Sequence, residues 1–113
     1  MIPAFFELVD RNGLVIKPKK PFFDWHNSIY KETPIYKLDE PTLYLANLEG
    51  NSYGVETWME KNFDRFFKNE LNDWVIDQTM WPKKRTFKMF NEWFDYDFYD
   101  IVLDTENQKI KKF

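Results

Sequence analysis

The chain has 113 residues, 20% of them aromatic and 31% charged, and its sixteen Lys and Arg against nineteen Asp and Glu give a formal net charge of −3. This balance excludes a global attraction to nucleic acid or to an anionic membrane, so any such contact has to come from a local patch. The lack of cysteine excludes disulfides, a thiol nucleophile and a thiolate metal site.

The length predicts one domain that spans residues 1–113, with 105–113 as a frayed polar tail. The N-terminus lacks the basic start and apolar run of a signal peptide. No apolar run approaches the ~20 residues of a membrane span. We therefore expect a soluble cytoplasmic protein that makes no membrane contact.

The first predicted element is a β-hairpin. Residues 4–9 and 14–17 are rich in aromatic and β-branched side chains, which are typical of strands. Asn12 and Gly13 lie between them, and Asn-Gly is a strong signal for a tight turn over 10–13. The alternative is one long strand with a bulge at Gly13.

A short helix over 21–30 follows, with Pro21 in its first turn, where the missing N–H costs nothing. Its apolar residues recur at helical spacing: Phe22, Trp25, His26 and Ile29. Residues 31–41 contain prolines and charges and are predicted to be a surface loop. Residues 42–48 are then predicted to be a strand.

The strongest periodicity predicts a long helix over 54–76. Its apolar face is formed by Val55, Trp58, Met59, Phe63, Phe66, Phe67, Leu71, Trp74 and Val75. The charged residues are expected to face water, namely Glu56, Glu60, Lys61, Asp64, Arg65, Lys68 and Glu70.

Pro82 interrupts the helical pattern, and Thr86 is a suitable N-cap for a third helix. The apolar face of that helix is Phe87, Phe90, Trp93 and Phe94. Residues 95–104 form the last predicted strand. This order of elements predicts an α+β fold with two layers, a mostly antiparallel sheet of about four strands and three helices packed on one face.

Sites for most common chemistries are missing from the sequence. The single histidine, His26, cannot form a zinc cluster without other His or Cys ligands, and three glycines supply no phosphate loop. We expect no metal and no cofactor. Asp95 and Asp97 share one face of the last strand, and Asp100 and Asp104 share the other. Such pairs suit Mg²⁺ binding or acid–base catalysis, or they simply keep an edge strand soluble.

Two cation-rich segments, 17–25 and 81–94, each contain a proline-marked turn that leads into an aromatic helix. The candidate binding residues in them are Lys17, Lys19, Lys20, Trp25, Trp81, Lys83, Lys84 and Arg85. If the segments meet, they form a local positive surface on an acidic protein, with rings on which nucleic-acid bases would stack. The alternative is that these cations lie on hydrated loops and that the rings are core.

The same segments carry a family resemblance, through Lys17-Pro18-Lys19-Lys20-Pro21-Phe22-Phe23-Asp24-Trp25 and through Trp81-Pro82 followed by Arg85-Thr86-Phe87-Lys88-Met89-Phe90-Asn91-Glu92-Trp93-Phe94. Together they resemble a family of small, uncharacterised bacterial proteins of about this length. The resemblance would cover most of the chain. It implies a bacterial, cytosolic, single-domain protein and brings with it no activity, cofactor or catalytic residue.

Three hypotheses about function follow from the sequence. The first is a non-enzymatic binding module that docks an unknown protein partner through segments 17–25 and 81–94, and aromatic residues left on the surface would mark a partner or self-association site. The second is binding of nucleic acid or another polyanion through the same cations. The third is an enzyme that uses Asp95, Asp97 or Asp100.

Overall fold

The computed structural model describes residues 6–37, 40–48 and 54–113. In chain order these residues form β1 (Glu7–Leu8), β2 (Asn12–Pro18), α1 (Lys20–Ile29), β3 (Thr42–Ala46), α2 (Val55–Trp74), a 3₁₀ turn (Gln78–Met80), α3 (Phe87–Trp93), β4 (Phe94–Tyr99) and β5 (Leu103–Asp104).

The predicted α+β class is confirmed, and the described strands are all antiparallel. They do not form the single sheet of about four strands that the sequence predicts. Instead they divide into a three-stranded sheet in the order β3-β2-β4 and a separate ribbon of β1 and β5. The central strand, β2, pairs with both neighbours along most of its length.

The predicted hairpin is wrong. Gly13 lies inside β2, opposite Leu45 of β3 and Tyr99 of β4, and the register continues through it without a bulge. β1 pairs with β5 rather than with β2. The Asn-Gly signal fails because long-range pairing on both sides of β2 holds this stretch extended. Residues 4 and 5 of the first predicted strand lie outside the described residues.

One face of the three-stranded sheet, the inner face, is covered by the helices. Leu14 and Ile16 of β2 and Phe94 of β4 point into a core that the helices complete. The buried helical side chains in this core are Phe22, Phe23, Met59, Phe66, Phe67, Leu71 and Phe90. Their rings meet edge-on or tilted at centroid distances such as 5.3 Å between Phe67 and Phe94, a favourable arrangement for aromatic pairs.

The three predicted helices are present, with small changes at their ends. α1 begins one residue earlier than expected and has Pro21 in its first turn. In α3, the Thr86 side chain accepts a hydrogen bond from the main-chain N–H of Met89, 3.1 Å away, which confirms the predicted cap. The helices thus begin and end close to where their apolar periodicity indicates, and α3 also begins at its predicted capping residue.

The predicted last strand, 95–104, is two strands, because the chain bends at Asp100 and leaves β4 for the ribbon. The side chain of Val102 comes within 3.4 Å of the position that a Cβ atom on Gly13 would occupy. The connection between β4 and β5 therefore packs against β2 at Gly13, at the distance of an ordinary van der Waals contact. Residues 105–113 have exposed side chains and no helix or strand.

No helix in the described part of the chain has the length and apolarity that crossing a bilayer requires.

Candidate interaction surface

The two cation-rich segments are neighbours in the fold. The main-chain N–H of Lys19 donates to the carbonyl of Trp93 over 2.7 Å, and its Nζ donates to the carbonyl of Asn91 over 2.6 Å. The rings of Trp25 and Trp93 lie 6.0 Å apart. The spatial condition of the first two hypotheses is therefore met.

Most of the candidate cations are nevertheless engaged within the chain. Lys17 lies 3.2 Å from Asp97, and Lys19 lies 3.7 Å from Asp95. Lys20 lies 2.8 Å from Asp24, one turn along α1. Exposed ion pairs of this kind contribute about 0–1 kcal/mol each. Their effect here is to neutralise the positive surface that the sequence suggests.

Arg85 is turned into the protein, and its side chain is only 16% exposed. Its guanidinium donates to Asp64 of α2 from Nε over 2.7 Å and to the carbonyl of Pro82 over 2.8 Å. The hydrogen bond from Arg85 lowers the pKa of Asp64, and Lys68 nearby lowers it further. Arg85 therefore fixes the 82–85 loop onto α2.

The two candidate tryptophans also bond within the chain. The indole N–H of Trp25 donates to the carbonyl of Met80, and that of Trp81 donates to the carbonyl of Val75. Both rings are half-buried and pack against the core. They fasten the 3₁₀ turn to α1 and α2, so neither ring stands free as a stacking platform.

Three further cations of this region are exposed, namely Lys83 and Lys84 in the loop and Lys88 at the start of α3. Within the described ranges, none of the three forms an ion pair or a hydrogen bond. The free positive charge of segments 17–25 and 81–94 is thus reduced to one small loop and the adjoining helix turn.

The outer face of the three-stranded sheet, opposite the helices, carries Lys17, Asp95 and Asp97 at one end and an apolar cluster at the other. It presents Val15 of β2, Leu43 and Leu45 of β3 and Tyr99 of β4. Leu43 is 62% exposed, Leu45 49% and Tyr99 52%. Clustered exposed side chains of this kind mark interaction sites more often than single ones do.

The alternation along β3 is the reverse of the usual pattern, in which polar residues of an antiparallel strand face water. The leucines point outward, whereas Thr42 and Tyr44 point inward towards α2. Tyr44 donates a hydrogen bond from its hydroxyl to the carboxyl of Glu70, and Asn69 donates to the same hydroxyl over 2.9 Å. These polar contacts hold the register that leaves Leu43 and Leu45 exposed.

Glu70 is only 3% exposed, so the prediction that it faces water is wrong. Burial raises its pKa, and the hydrogen bonds from Tyr44 and Thr42 partly oppose that rise. Burial, followed by the hydrogen bond with Glu70, raises the pKa of Tyr44. The helical spacing contained a signal for this site, because position 70 lies one turn beyond Phe66 on the buried face.

The aspartates predicted as catalytic candidates are dispersed. Asp95 and Asp97 do share one face of β4, and both are ion-paired with lysines. Asp100 is exposed at the bend, and Asp104 accepts a hydrogen bond from the main-chain N–H of Glu106. No group of three His, Cys, Asp or Glu side chains suited to a metal occurs in the described residues.

His26, the single histidine, is buried in α1 and packs edge-on against Trp74 with ring centroids 5.4 Å apart. Its Nδ1 lies 2.9 Å from the side-chain oxygen of Asn27, which also accepts from the main-chain N–H of Ile35. These contacts connect α1 to the loop that follows it and give His26 a structural place in the fold.

Two open clefts of about 680 and 690 Å³ lie beside the sheet. Arg11 in the first is ion-paired with Asp10, and Lys17 in the second with Asp97.

Comparison with known proteins adds no functional information: no family model, no curated protein and no solved structure matches this chain.

Proposed function

We propose that this protein is a protein-interaction module and that its docking surface is the outer face defined by Val15, Leu43, Leu45 and Tyr99. The observation that carries the proposal is the reversed alternation of β3. A strand that turns the half-buried Thr42 and Tyr44 inward while half-exposing two leucines forgoes part of the free energy of burying those leucines, for which complete burial is worth about 1.5–3 kcal/mol each. A bound partner would recover it.

The buried polar cluster supports this reading. A shift of one residue in β3 would turn both leucines towards the core and expose Tyr44. The hydrogen bonds of Glu70 with Tyr44 and Thr42 oppose that shift, because breaking them would leave a buried carboxyl without partners. The exposure of the leucines is thus maintained by specific contacts, as expected for a functional surface.

Binding of nucleic acid or another polyanion is the second candidate function. It is favoured by the unpaired side chains of Lys83, Lys84 and Lys88. Such binding would weaken as the salt concentration rises, because it depends on the counterions that these lysines release from the phosphates they contact. A bacterial origin and a cytoplasmic location stay part of the proposal and rest on the sequence alone.

The test places a photo-crosslinking amino acid, benzoylphenylalanine, at one position at a time in a lysate of the source organism. Position 45 probes the outer face, position 84 probes the basic loop, and Ile76, which is 81% exposed beyond the end of α2, serves as the control site. We expect protein adducts at 45 that are absent at 76. Mass spectrometry then identifies each adduct, and the purified partner is tested for binding.

The same series separates the two candidates. A nuclease-sensitive adduct confined to position 84 would favour the polyanion and count against the outer face. Equal labelling at 45 and 76 would mean that the outer face has no specific partner, and the proposal would then fail.

A further inference from the structure

We propose that β3, the strand that carries Leu43 and Leu45 of the outer face, binds a second copy of this chain, and that the two copies join edge to edge through an antiparallel pairing of β3 with β3. The two three-stranded sheets would then form one continuous sheet across a two-fold axis. This inference rests on the proposed function, because it names the partner for the β3 part of the proposed docking surface.

The first support is the state of the β3 edge. β3 lies at the end of its sheet and pairs with β2 alone, and among the described residues no main-chain hydrogen bond forms on its other side. Natural proteins protect such edges with charges, prolines or bulges. The stretch Thr42–Ala46 contains none of these, so it presents an open template for another strand.

The opposite edge of the sheet differs in charge. β4 carries Asp95 and Asp97 on its outer face. If β4 paired with itself about Tyr96, Asp95 of one copy would face Asp97 of the other, and directly opposed like charges are destabilising. Both aspartates are ion-paired with lysines, whereas β3 is the edge of this sheet without charged side chains, which favours β3 as the strand that self-associates.

The sequence of β3, Thr-Leu-Tyr-Leu-Ala, is close to a palindrome around Tyr44. In an antiparallel pairing centred on Tyr44, Leu43 of each copy faces Leu45 of the other. The four leucines then form one apolar cluster on the outer face, and no charged side chain of β3 enters the contact. A two-fold interface needs a surface that complements itself in this way.

The first test measures the mass of the purified protein by sedimentation velocity at concentrations up to about 100 µM. A dimer with a dissociation constant in the micromolar range is populated at these concentrations. We expect wild type to sediment at twice 14.0 kDa. The Leu43→Glu/Leu45→Glu variant should dimerise at least about tenfold more weakly, because its carboxylates oppose one another across the axis. A wild type that stays monomeric throughout this range overturns the proposal.

The second test determines which residues of the two β3 strands lie opposite one another. Because the chain has no cysteine, every disulfide formed in this test involves an introduced residue. In the proposed register, position 43 faces position 45 at about 4.5–5.5 Å between Cα atoms, within disulfide range. Positions 43 and 43 lie about 7–8 Å apart. An oxidised mixture of Leu43→Cys and Leu45→Cys should therefore form several-fold more disulfide dimer than either variant alone. Equal yields overturn the antiparallel pairing.

These outcomes also separate the inference from the proposed function. A monomeric wild type that still crosslinks a different protein through position 45 overturns the second copy as partner and leaves the interaction module standing. A monomeric wild type with no adduct at 45 removes both.

Discussion

Glu70 shows how a single residue can control which side chains a strand exposes. Its carboxyl lies between α2 and the inner face of β3, where Tyr44 donates to it and Asn69 donates in turn to Tyr44. A buried carboxyl is costly unless its hydrogen bonds are made. Only one register of β3 makes these hydrogen bonds. Burial of Glu70 therefore favours the register that exposes Leu43 and Leu45 over the others.

The raised pKa of Glu70 predicts a pH dependence of stability. The folded protein retains this proton above 4.5, the ordinary value for the group. The protonated carboxyl therefore makes its full contribution to the free energy of unfolding below about pH 4.5. That contribution is lost as the pH rises through the raised pKa that Glu70 has in the folded protein. We expect Glu70→Gln, whose amide oxygen still accepts from Tyr44, to gain stability relative to wild type over that range.

Urea unfolding of both proteins between pH 4 and pH 8 measures this difference. Glu60→Gln, on the exposed face of the same helix, removes the same formal charge and controls for the change in net charge. A difference between wild type and Glu70→Gln that is independent of pH, or that follows the Glu60→Gln control, would contradict the raised pKa.

The candidate residues illustrate what residue-level reasoning can predict. The sequence predicts a joint surface only if segments 17–25 and 81–94 meet, and in the structure they do. Their side-chain partners were not predictable, because the pairing of Arg85 with Asp64 and of Lys17 with Asp97 joins residues far apart in sequence. Sequence alone identifies a cation but not whether a carboxylate of another element already neutralises it.

At the scale of elements, helices were easier to predict than strands. α2, observed over Val55–Trp74, falls within the predicted 54–76 because its apolar period repeats over many turns. The strands are short, and their partners are chosen by long-range pairing. Gly13 shows the consequence: the sequence predicts a turn there, whereas Gly13 lies in the central strand and pairs with both neighbouring strands.

The Thr86 cap gives a quantitative prediction for α3. The helix spans only Phe87–Trp93, and the hydrogen bond from the main-chain N–H of Met89 to the Thr86 hydroxyl satisfies one of its four free N-terminal donors. We expect Thr86→Ala to lower the free energy of unfolding by about 1 kcal/mol. Thr86→Ser retains the hydroxyl and should lose much less. Equal losses for the two variants, measured by urea unfolding, would show that the cap contributes nothing.

At the scale of the whole molecule, the two sides of the sheet have different roles. The inner face is filled by aromatic rings from all three helices, so the stability of the fold depends on that side. The outer face contributes exposed leucines and ion pairs, and changes there should leave the fold intact. If substitutions at positions 43 and 45 weaken dimerisation, the change can therefore be attributed to the interface rather than to a loss of the fold.

The overall dimensions give the last prediction. The radius of gyration over Cα atoms is 16.7 Å, against about 13 Å for a compact domain of this length. Residues 105–113 extend the molecule without helix, strand or buried side chains. Deleting them in the Leu43→Glu/Leu45→Glu background, where association is weakened, should lower the radius of gyration measured by X-ray scattering and change the free energy of unfolding by less than about 0.5 kcal/mol.

A longer deletion, of residues 101–113, is the matched control. It also removes Val102, whose carbonyl accepts from the main-chain N–H of Val9 over 2.8 Å and whose side chain lies over Gly13. It takes away β5 and so leaves β1 unpaired. We expect this variant to lose measurable stability because these contacts connect the ribbon to the sheet. If the shorter deletion costs as much as the longer one, residues 105–113 contribute to the fold through contacts that the exposed side chains do not show.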